Sequence, residues 1–242
     1  MSLDFDTSDQ RILWPGYVYP DNWNADNSAW WRFGDQASPG ADGSGSIAIA
    51  NPASGPGTAT NPDWVEAINY VRNRGHRVVG YVHTSYGARA VADVKAEVDA
   101  WYSLYMVDGI FVDEMSNTAT DQPYYRDVFE HVHARPGDHL VVGNPGAAAT
   151  TDWQVHGETK IANIVAIFED TEAHYLTWSP PAWVANYPAG RFAHLVHTVT
   201  SGSAAAMRAH AETANAGWVY ATDDVMPNPW DTLAFWPAQA TP

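Results

Sequence analysis

The chain has 242 residues, 45% of them hydrophobic and 13% aromatic, which suits one α/β barrel or one large domain plus a small one and excludes a disordered chain. Its formal net charge of −16, from 28 acidic and 12 basic residues, argues against nucleic acid and anionic membrane surfaces as partners. The absence of cysteine excludes disulfides, thiol catalysis and zinc–thiolate sites.

The sequence gives two signals about location. No apolar run approaches the roughly 20 residues that cross a bilayer, so we expect no membrane insertion. The polar residues that follow Met1 form neither the basic nor the apolar region of a secretion signal. Two interpretations therefore stay open at this point: a cytoplasmic protein, or an extracellular one whose signal is absent from this sequence.

Eight apolar segments have the length and composition of strands that are buried on both faces. In chain order they cover residues 12–20, 47–52, 77–83, 109–115, 140–146 including a turn, 163–169, 192–197 and 217–224. Adjacent strands are separated by too many residues for a tight hairpin, which favours parallel pairing.

Helical or loop segments alternate with these strands. Helices are predicted over residues 61–75, 88–104, 121–134 and 203–215, with weaker helical signals after Trp153 and over 178–186. We expect Asp63 and Asp121 to cap their helices, and an aromatic loop to contain Trp30 and Trp31.

This alternation predicts a single (β/α)₈ TIM-type barrel over residues 1–242, in which some connecting helices are short or degenerate. Residues 1–10 are expected to be an N-terminal extension or expression-vector residues. No GxGxxG motif follows the first strand, which weighs against a dinucleotide-binding sheet. No linker between domains is visible, because strand and helix signals resume directly after each Gly/Ser-rich stretch.

Two of the predicted strands end in carboxylates: Asp113 and Glu114 on the fourth, Glu169 and Asp170 on the sixth. The carboxyl ends of barrel strands form the active site, and acids are costly there unless they are paired, hydrogen-bonded or used. Hydrolysis of a glycosidic bond requires two carboxyl groups in different environments. We therefore predict Asp113, Glu114 and Glu169 as catalytic residues.

The three acids are not equivalent. Adjacent strand residues point to opposite faces, so only one of Asp113 and Glu114 should face the barrel axis. Glu169 is the expected general acid, because desolvation by Ile167 and Phe168 would raise its pKa.

Polar and aromatic side chains at other strand ends and in loops are candidates for binding sugar hydroxyls, an amino group or a sugar face. They are Tyr17, His83, Tyr86, Asn144, Asp223, Trp23, Trp153 and Trp230.

Metal binding is the competing use of the acidic cluster, with His83 as a ligand beside Asp113 or Glu114. The other histidines do not support it, because pairs two apart on a helix or three apart on a strand do not face each other. These pairs are His131 with His133 and His194 with His197. We expect neither a metal nor a cofactor.

An ordered set of stretches gives the chain a resemblance to the spherulation-specific family 4 (spherulin-4-like) proteins. These stretches are WPGYVYP at 14–20, GYVHTSYGAR at 80–89, GIFVDE at 109–114, GNPG at 143–146, FE at 168–169 and YATD at 220–223. The resemblance implies a (β/α)₈ glycoside hydrolase that cleaves α-1,4-linked galactosamine and N-acetylgalactosamine polymers of fungal and bacterial biofilms. It implies catalytic roles for Asp113, Glu114 and Glu169, while the position of His83 departs from the family pattern.

We therefore expect an endo-acting, extracellular and monomeric hydrolase of an amino-sugar polysaccharide, whose free amines the charge of −16 would attract. Retention and inversion of the anomeric configuration both stay open. A non-catalytic carbohydrate-binding barrel and a metal-dependent hydrolase or deacetylase are the alternative functions.

Overall fold

The computed structural model describes residues 10–20, 28–37, 45–200 and 202–234. Eight parallel strands form one sheet in which every strand lies beside its neighbours in sequence. They are β1 (Leu13–Gly16), β2 (Ile47–Ala50), β3 (Arg77–His83), β4 (Gly109–Asp113), β5 (Leu140–Gly143), β6 (Ile164–Thr171), β7 (Phe192–His197) and β8 (Trp218–Ala221).

The sheet curls into a barrel, which closes where the chain just before β1 pairs with β8. Arg11 forms a parallel bridge with Trp218. The Arg11 N–H donates to the Gly217 carbonyl at 2.9 Å, and the Val219 N–H donates to the Arg11 carbonyl at 2.8 Å. The Arg11 guanidinium also lies over the Trp218 ring, 4.2 Å from its centroid. The predicted TIM-type barrel is confirmed.

The described residues contain six α-helices. They are α1 (Ala29–Gln36), α2 (Pro62–Arg72), α3 (Val91–Tyr105), α4 (Gln122–His133), α5 (Glu172–Tyr175) and α6 (Ala204–Thr213). The two weaker helical signals correspond to 3₁₀ turns at Gly157–Thr159 and Ala182–Asn186. No helix in these ranges is long and apolar enough to cross a membrane.

Helix α1 lies where the sequence analysis expects a loop, and that prediction was wrong. Ser28 caps the helix by accepting a hydrogen bond from the Trp31 N–H. Trp30 and Phe33, three positions apart, lie on one face and pack against Trp14 with ring centroids 5.0 and 5.1 Å away. This burial stabilises the helix despite its aromatic composition.

The predicted helix caps also need correction. Asn61, rather than Asp63, caps α2, because its side chain accepts a hydrogen bond from the Asp63 N–H at 2.9 Å. Asp121 occupies the cap position of α4 but makes no capping hydrogen bond through its side chain.

Gly80 allows β3 and α3 to approach closely. A Cβ atom at this position would lie 2.3–2.6 Å from the nearest ring atoms of Trp101. Trp101 is fully buried, and its Nε1–H donates to the Tyr81 carbonyl at 2.8 Å. The contact therefore fixes the part of β3 that carries the Tyr81 side chain into the barrel.

We predict that Gly80→Ala lowers the free energy of unfolding by about 1–3 kcal/mol, because the buried Trp101 ring has no room to move aside. Gly34→Ala in α1 is the matched control, since a Cβ there meets side-chain atoms of Arg74 and Tyr70 at 3.1 Å. These side chains are partly exposed and can adjust. Urea unfolding of both variants measures the difference in the free energy of unfolding. Equal losses of stability in the two variants would contradict the close packing of Gly80 against Trp101.

Candidate active site

Two carboxyl groups in the mouth of the barrel share one hydrogen-bond donor. Asp113 ends β4, Glu169 lies in β6, and Asn144 directly follows the intervening strand β5. The Asn144 Nδ2 donates to Asp113 Oδ1 at 2.8 Å and to Glu169 Oε2 at 2.6 Å. The two oxygens are therefore no further apart than the sum of these two distances.

A β-bulge in β6 directs Glu169 into the barrel. The register between β6 and β7 shifts between Ala166 and Phe168, which leaves one extra residue in β6. Phe168 packs on the outside of the barrel against Tyr175 and Trp178, with ring centroids 4.8 and 4.9 Å away. Glu169, as the next residue along the strand, faces the interior.

Enclosure in the barrel mouth raises the pKa of both Asp113 and Glu169 above the usual range of a carboxyl group. The raised pKa of Glu169 and desolvation as its largest cause both agree with the expectation. Of the two side chains expected to desolvate this carboxyl group, Phe168 packs instead against Tyr175 and Trp178.

The two acids differ in the hydrogen bonds that stabilise their charged forms. Asp113 accepts from the Glu114 N–H, the Tyr81 hydroxyl and Asn144, all of which lower its pKa against the effect of burial. Glu169 accepts from Asn144 and from the Trp230 Nε1–H at 3.3 Å, and the charge of Asp113 raises its pKa further. Asp113 therefore has the environment that better stabilises a carboxylate.

Glu114 lies at the rim of the site rather than beside the other two acids. Its backbone is left-handed, with φ of 50°, and its side chain is 41% exposed. One carboxylate oxygen lies 3.5 Å from His83 Nδ1. Its carbonyl accepts hydrogen bonds from the Tyr86 N–H and the Thr84 hydroxyl, both at 2.7 Å. The strained turn thus directs the Glu114 N–H to Asp113, while the Glu114 side chain lies beside His83.

Two tyrosines border Asp113. Tyr17, just after β1, contacts Tyr81 edge-to-face with ring centroids 5.6 Å apart. Burial and then the charge of Asp113 raise the pKa of both hydroxyl groups, so each remains a neutral hydrogen-bond donor. Tyr81 was not predicted as a site residue, although it lies two residues before His83 and so on the same face of β3.

An open cleft of about 540 Å³ extends from Glu169 towards the ends of β7 and β8, a volume typical of ligand sites. Its lining includes Glu169, Asp170, His197, Met226 and Trp230. Sequence reasoning did not select His197, whose ring meets Trp230 edge-to-face at 6.0 Å.

The remaining predicted binding residues are dispersed. Trp153 is 8% exposed and belongs to the hydrophobic core, so its prediction as a stacking face was wrong. Tyr86 is 66% exposed at the rim. Asp223 is exposed after β8 and is not among the residues that line the cleft. Trp23 lies outside the described residues.

The part of the chain that the structure describes contains no group of three or more His, Asp or Glu side chains arranged to hold a metal ion. His83 approaches Glu114 but not Asp113, which is surrounded by Tyr81, Asn144 and backbone.

A family model described as spherulation-specific family 4 matches residues 11–238. Spherulin-4 from Physarum polycephalum is 34% identical over 224 residues, which cover 88% of this chain and 63% of that protein. The chain therefore spans less than two thirds of the length of this relative.

Among solved structures, the chain is similar to Aspergillus clavatus Sph3 in complex with GalNAc, with a TM-score of 0.75, 20% identity and 96% of both chains covered. The chitinase RmChi1 from Rhizomucor miehei gives a TM-score of 0.57 at 12% identity, with 96% of this chain and 99% of that chain covered. These similarities establish a barrel fold shared with glycoside hydrolases.

We predict that Glu169→Gln removes a pH-dependent destabilisation of the native state. Because the folded pKa is raised, the contribution of this carboxyl group to stability is fully present below its unfolded pKa of about 4 and is lost as the pH rises through the folded value. The variant should therefore gain stability relative to the wild type with rising pH, by about 1.4 kcal/mol per unit of pKa shift.

Urea unfolding at a series of pH values from 4 to 8 measures this gain. Glu158→Gln, at an exposed position, is the control and should show no such trend. A difference between Glu169→Gln and the wild type that is constant with pH would contradict the raised pKa.

Proposed function

We propose that this chain, which belongs to spherulation-specific family 4, is a glycoside hydrolase that cleaves within α-1,4-linked galactosamine and N-acetylgalactosamine polysaccharides. The observation that carries the proposal is the pair of enclosed carboxyl groups, Asp113 and Glu169, held together by Asn144. A TIM barrel with two acids in different environments is suited to glycosidic hydrolysis.

Asp113 is the proposed nucleophile, because three hydrogen-bond donors stabilise its negative charge. Glu169 is the proposed general acid, because its raised pKa favours the protonated form. Because the two bridged oxygens bind the same nitrogen, they lie closer together than the roughly 6.5–9.5 Å that inversion requires, which favours retention.

The proposed reaction therefore proceeds in two displacements. Asp113 attacks the anomeric carbon and forms a glycosyl ester while Glu169 gives its proton to the departing glycosidic oxygen. Glu169 then takes a proton from a water molecule, which attacks the same carbon and releases Asp113. Asn144 holds both carboxyl groups throughout, and Glu114 contacts the substrate at the rim without reacting.

The choice of an amino sugar has three supports. The family resemblance implies such a polymer, and the similar Sph3 structure was solved in complex with GalNAc. The net charge of −16 attracts a polymer that carries free amines. Because biofilm polysaccharides of this kind lie outside cells, we propose an extracellular, monomeric enzyme.

Incubation with partially deacetylated galactosaminan tests the proposal, and the wild type should release oligosaccharides. We expect Asp113→Asn and Glu169→Gln to lower kcat by about 10²–10⁴-fold, because each removes a group that reacts. Glu114→Gln is the matched comparison and should lose less activity, since the Glu114 side chain is half exposed beside His83.

Circular dichroism of each variant checks that the barrel remains folded. If the wild type releases nothing from this or related amino-sugar polymers, the proposed activity is wrong. Binding of the polymer without hydrolysis would instead favour a non-catalytic carbohydrate-binding barrel.

A further inference from the structure

A chain of buried hydrogen bonds holds the left-handed turn that follows β4 from behind the active site. It consists of Tyr125, on α4, and Thr84, just after β3, and both residues are almost fully buried. The Thr84 Oγ1 lies 3.2 Å from the Tyr125 hydroxyl and 2.7 Å from the Glu114 carbonyl oxygen. The Tyr125 hydroxyl accepts from the Ser116 N–H at 2.7 Å. The proposed reaction uses neither of these two side chains.

The direction of each hydrogen bond in this chain follows from its ends. The Glu114 carbonyl can only accept, so the Thr84 hydroxyl donates its proton there. The Ser116 N–H can only donate, so the Tyr125 oxygen accepts from it. The proton of the Tyr125 hydroxyl is therefore donated to Thr84 Oγ1. Removal of either hydroxyl group would leave a buried polar group without its partner.

Thr84 also orients the peptide unit that carries the Glu114 N–H. The Thr84 N–H donates to the Asp113 carbonyl at 3.0 Å, and the Thr84 hydroxyl lies 3.2 Å from the same oxygen. Because a peptide unit is planar and trans, its carbonyl and its N–H point in opposite directions and turn together. The contacts from Thr84 therefore determine where the Glu114 N–H points, which is to the Asp113 carboxylate.

The next peptide unit is held at both of its ends. Its carbonyl, which belongs to Glu114, accepts from the Thr84 hydroxyl and from the Tyr86 N–H. Its N–H, which belongs to Met115, donates to the Asn144 carbonyl at 3.0 Å. The left-handed conformation of Glu114, with φ of 50°, is costly for a residue other than glycine and persists where such contacts hold it.

We propose that Thr84 and Tyr125 are positioning residues, which hold the turn after β4 in the conformation that keeps a backbone N–H on the nucleophile Asp113. A carboxylate that is held in the orientation for attack reacts faster than one that is free to rotate. Both side chains are buried and act through the backbone, so they supply this orientation without contact with the substrate. The inference rests on the proposed function, because that proposal assigns the nucleophile.

Hydrolysis of partially deacetylated galactosaminan by Thr84→Val and Tyr125→Phe tests the proposal. We expect each substitution to lower kcat by about 10- to 100-fold with KM nearly unchanged, because the attacking group loses its orientation while the substrate contacts remain. Thr84→Ser keeps the hydroxyl group and should retain most of the activity. The double variant should be no slower than the slower single variant, because both substitutions break the same chain. Losses that multiply in the double variant would overturn the proposal.

Tyr105→Phe is the matched control. Tyr105 is buried at the end of α3, and its hydroxyl accepts from the N–H of Asn61, just before α2, at 3.2 Å. The substitution removes the same group from the same kind of hydrogen bond but leaves the turn after β4 intact. It should leave kcat unchanged. A loss of kcat equal to that of Tyr125→Phe would reflect a general loss of packing and would overturn the positioning role.

Titration of the Asp113 carboxyl group, followed by NMR, decides the role of the chain independently of hydrolysis. The hydrogen bond from the Glu114 N–H lowers the pKa of Asp113, so its displacement in Thr84→Val and in Tyr125→Phe should raise that pKa. The other titratable groups that interact with this carboxyl group are the same in all of these variants. They are Tyr17, Tyr81, Glu114 and Glu169.

The two measurements separate this inference from the proposed hydrolysis. If the wild type hydrolyses no polymer, the proposed function fails, while the titration still decides whether Thr84 and Tyr125 hold the N–H on Asp113. A pKa of Asp113 that is the same in the wild type and in both variants would overturn the positioning role. Tyr105→Phe should leave that pKa unchanged.

Discussion

The site depends on one amide group, the Asn144 side chain, which donates to both Asp113 and Glu169. Two carboxyl groups this close repel each other when both are charged, and enclosure makes each charge more costly. A single neutral donor between them reduces that cost without adding a cation that would fix both acids in the charged form. This arrangement suits the proposed reaction, in which Asp113 is the nucleophile and Glu169 is the general acid.

The backbone around Asp113 and Glu169 adopts several uncommon conformations. The bulge in β6 directs Glu169 inward, and the left-handed turn at Glu114 directs its N–H to Asp113. Ser85 and Tyr86 in the adjacent loop are also left-handed, with φ of 50° and 55°. Such conformations cost about 1–3 kcal/mol each and persist where the surrounding structure holds them. Here they lie around Asp113, the proposed nucleophile.

The sequence predicts the barrel well because parallel strands are buried on both faces and appear as apolar runs. The bounds of β3 and β7 agree with the predicted 77–83 and 192–197. The strand ends also predict that one acid of the Asp113/Glu114 pair faces Glu169, and the structure places Asp113 there. Helix α1 was missed because its stability comes from packing of Trp30 and Phe33 on Trp14, which local propensity does not include.

Side-chain partners are harder to predict than strands. Asn144 was expected to bind substrate, yet its bridge between two acids depends on the order β4, β5, β6 around the barrel. Trp153 was expected to offer a stacking face because tryptophan often lines sugar sites, but its side chain belongs to the hydrophobic core. A residue type indicates which interactions are possible, whereas the three-dimensional fold decides which of them form.

The most direct test of this account is to trap the glycosyl ester with a fluorinated galactosaminyl fluoride and to locate the adduct by peptide mass spectrometry. We expect one added sugar on Asp113, and none in Asp113→Asn. An adduct on Glu114 or Glu169, or a first-formed product whose anomeric configuration is inverted, would contradict it.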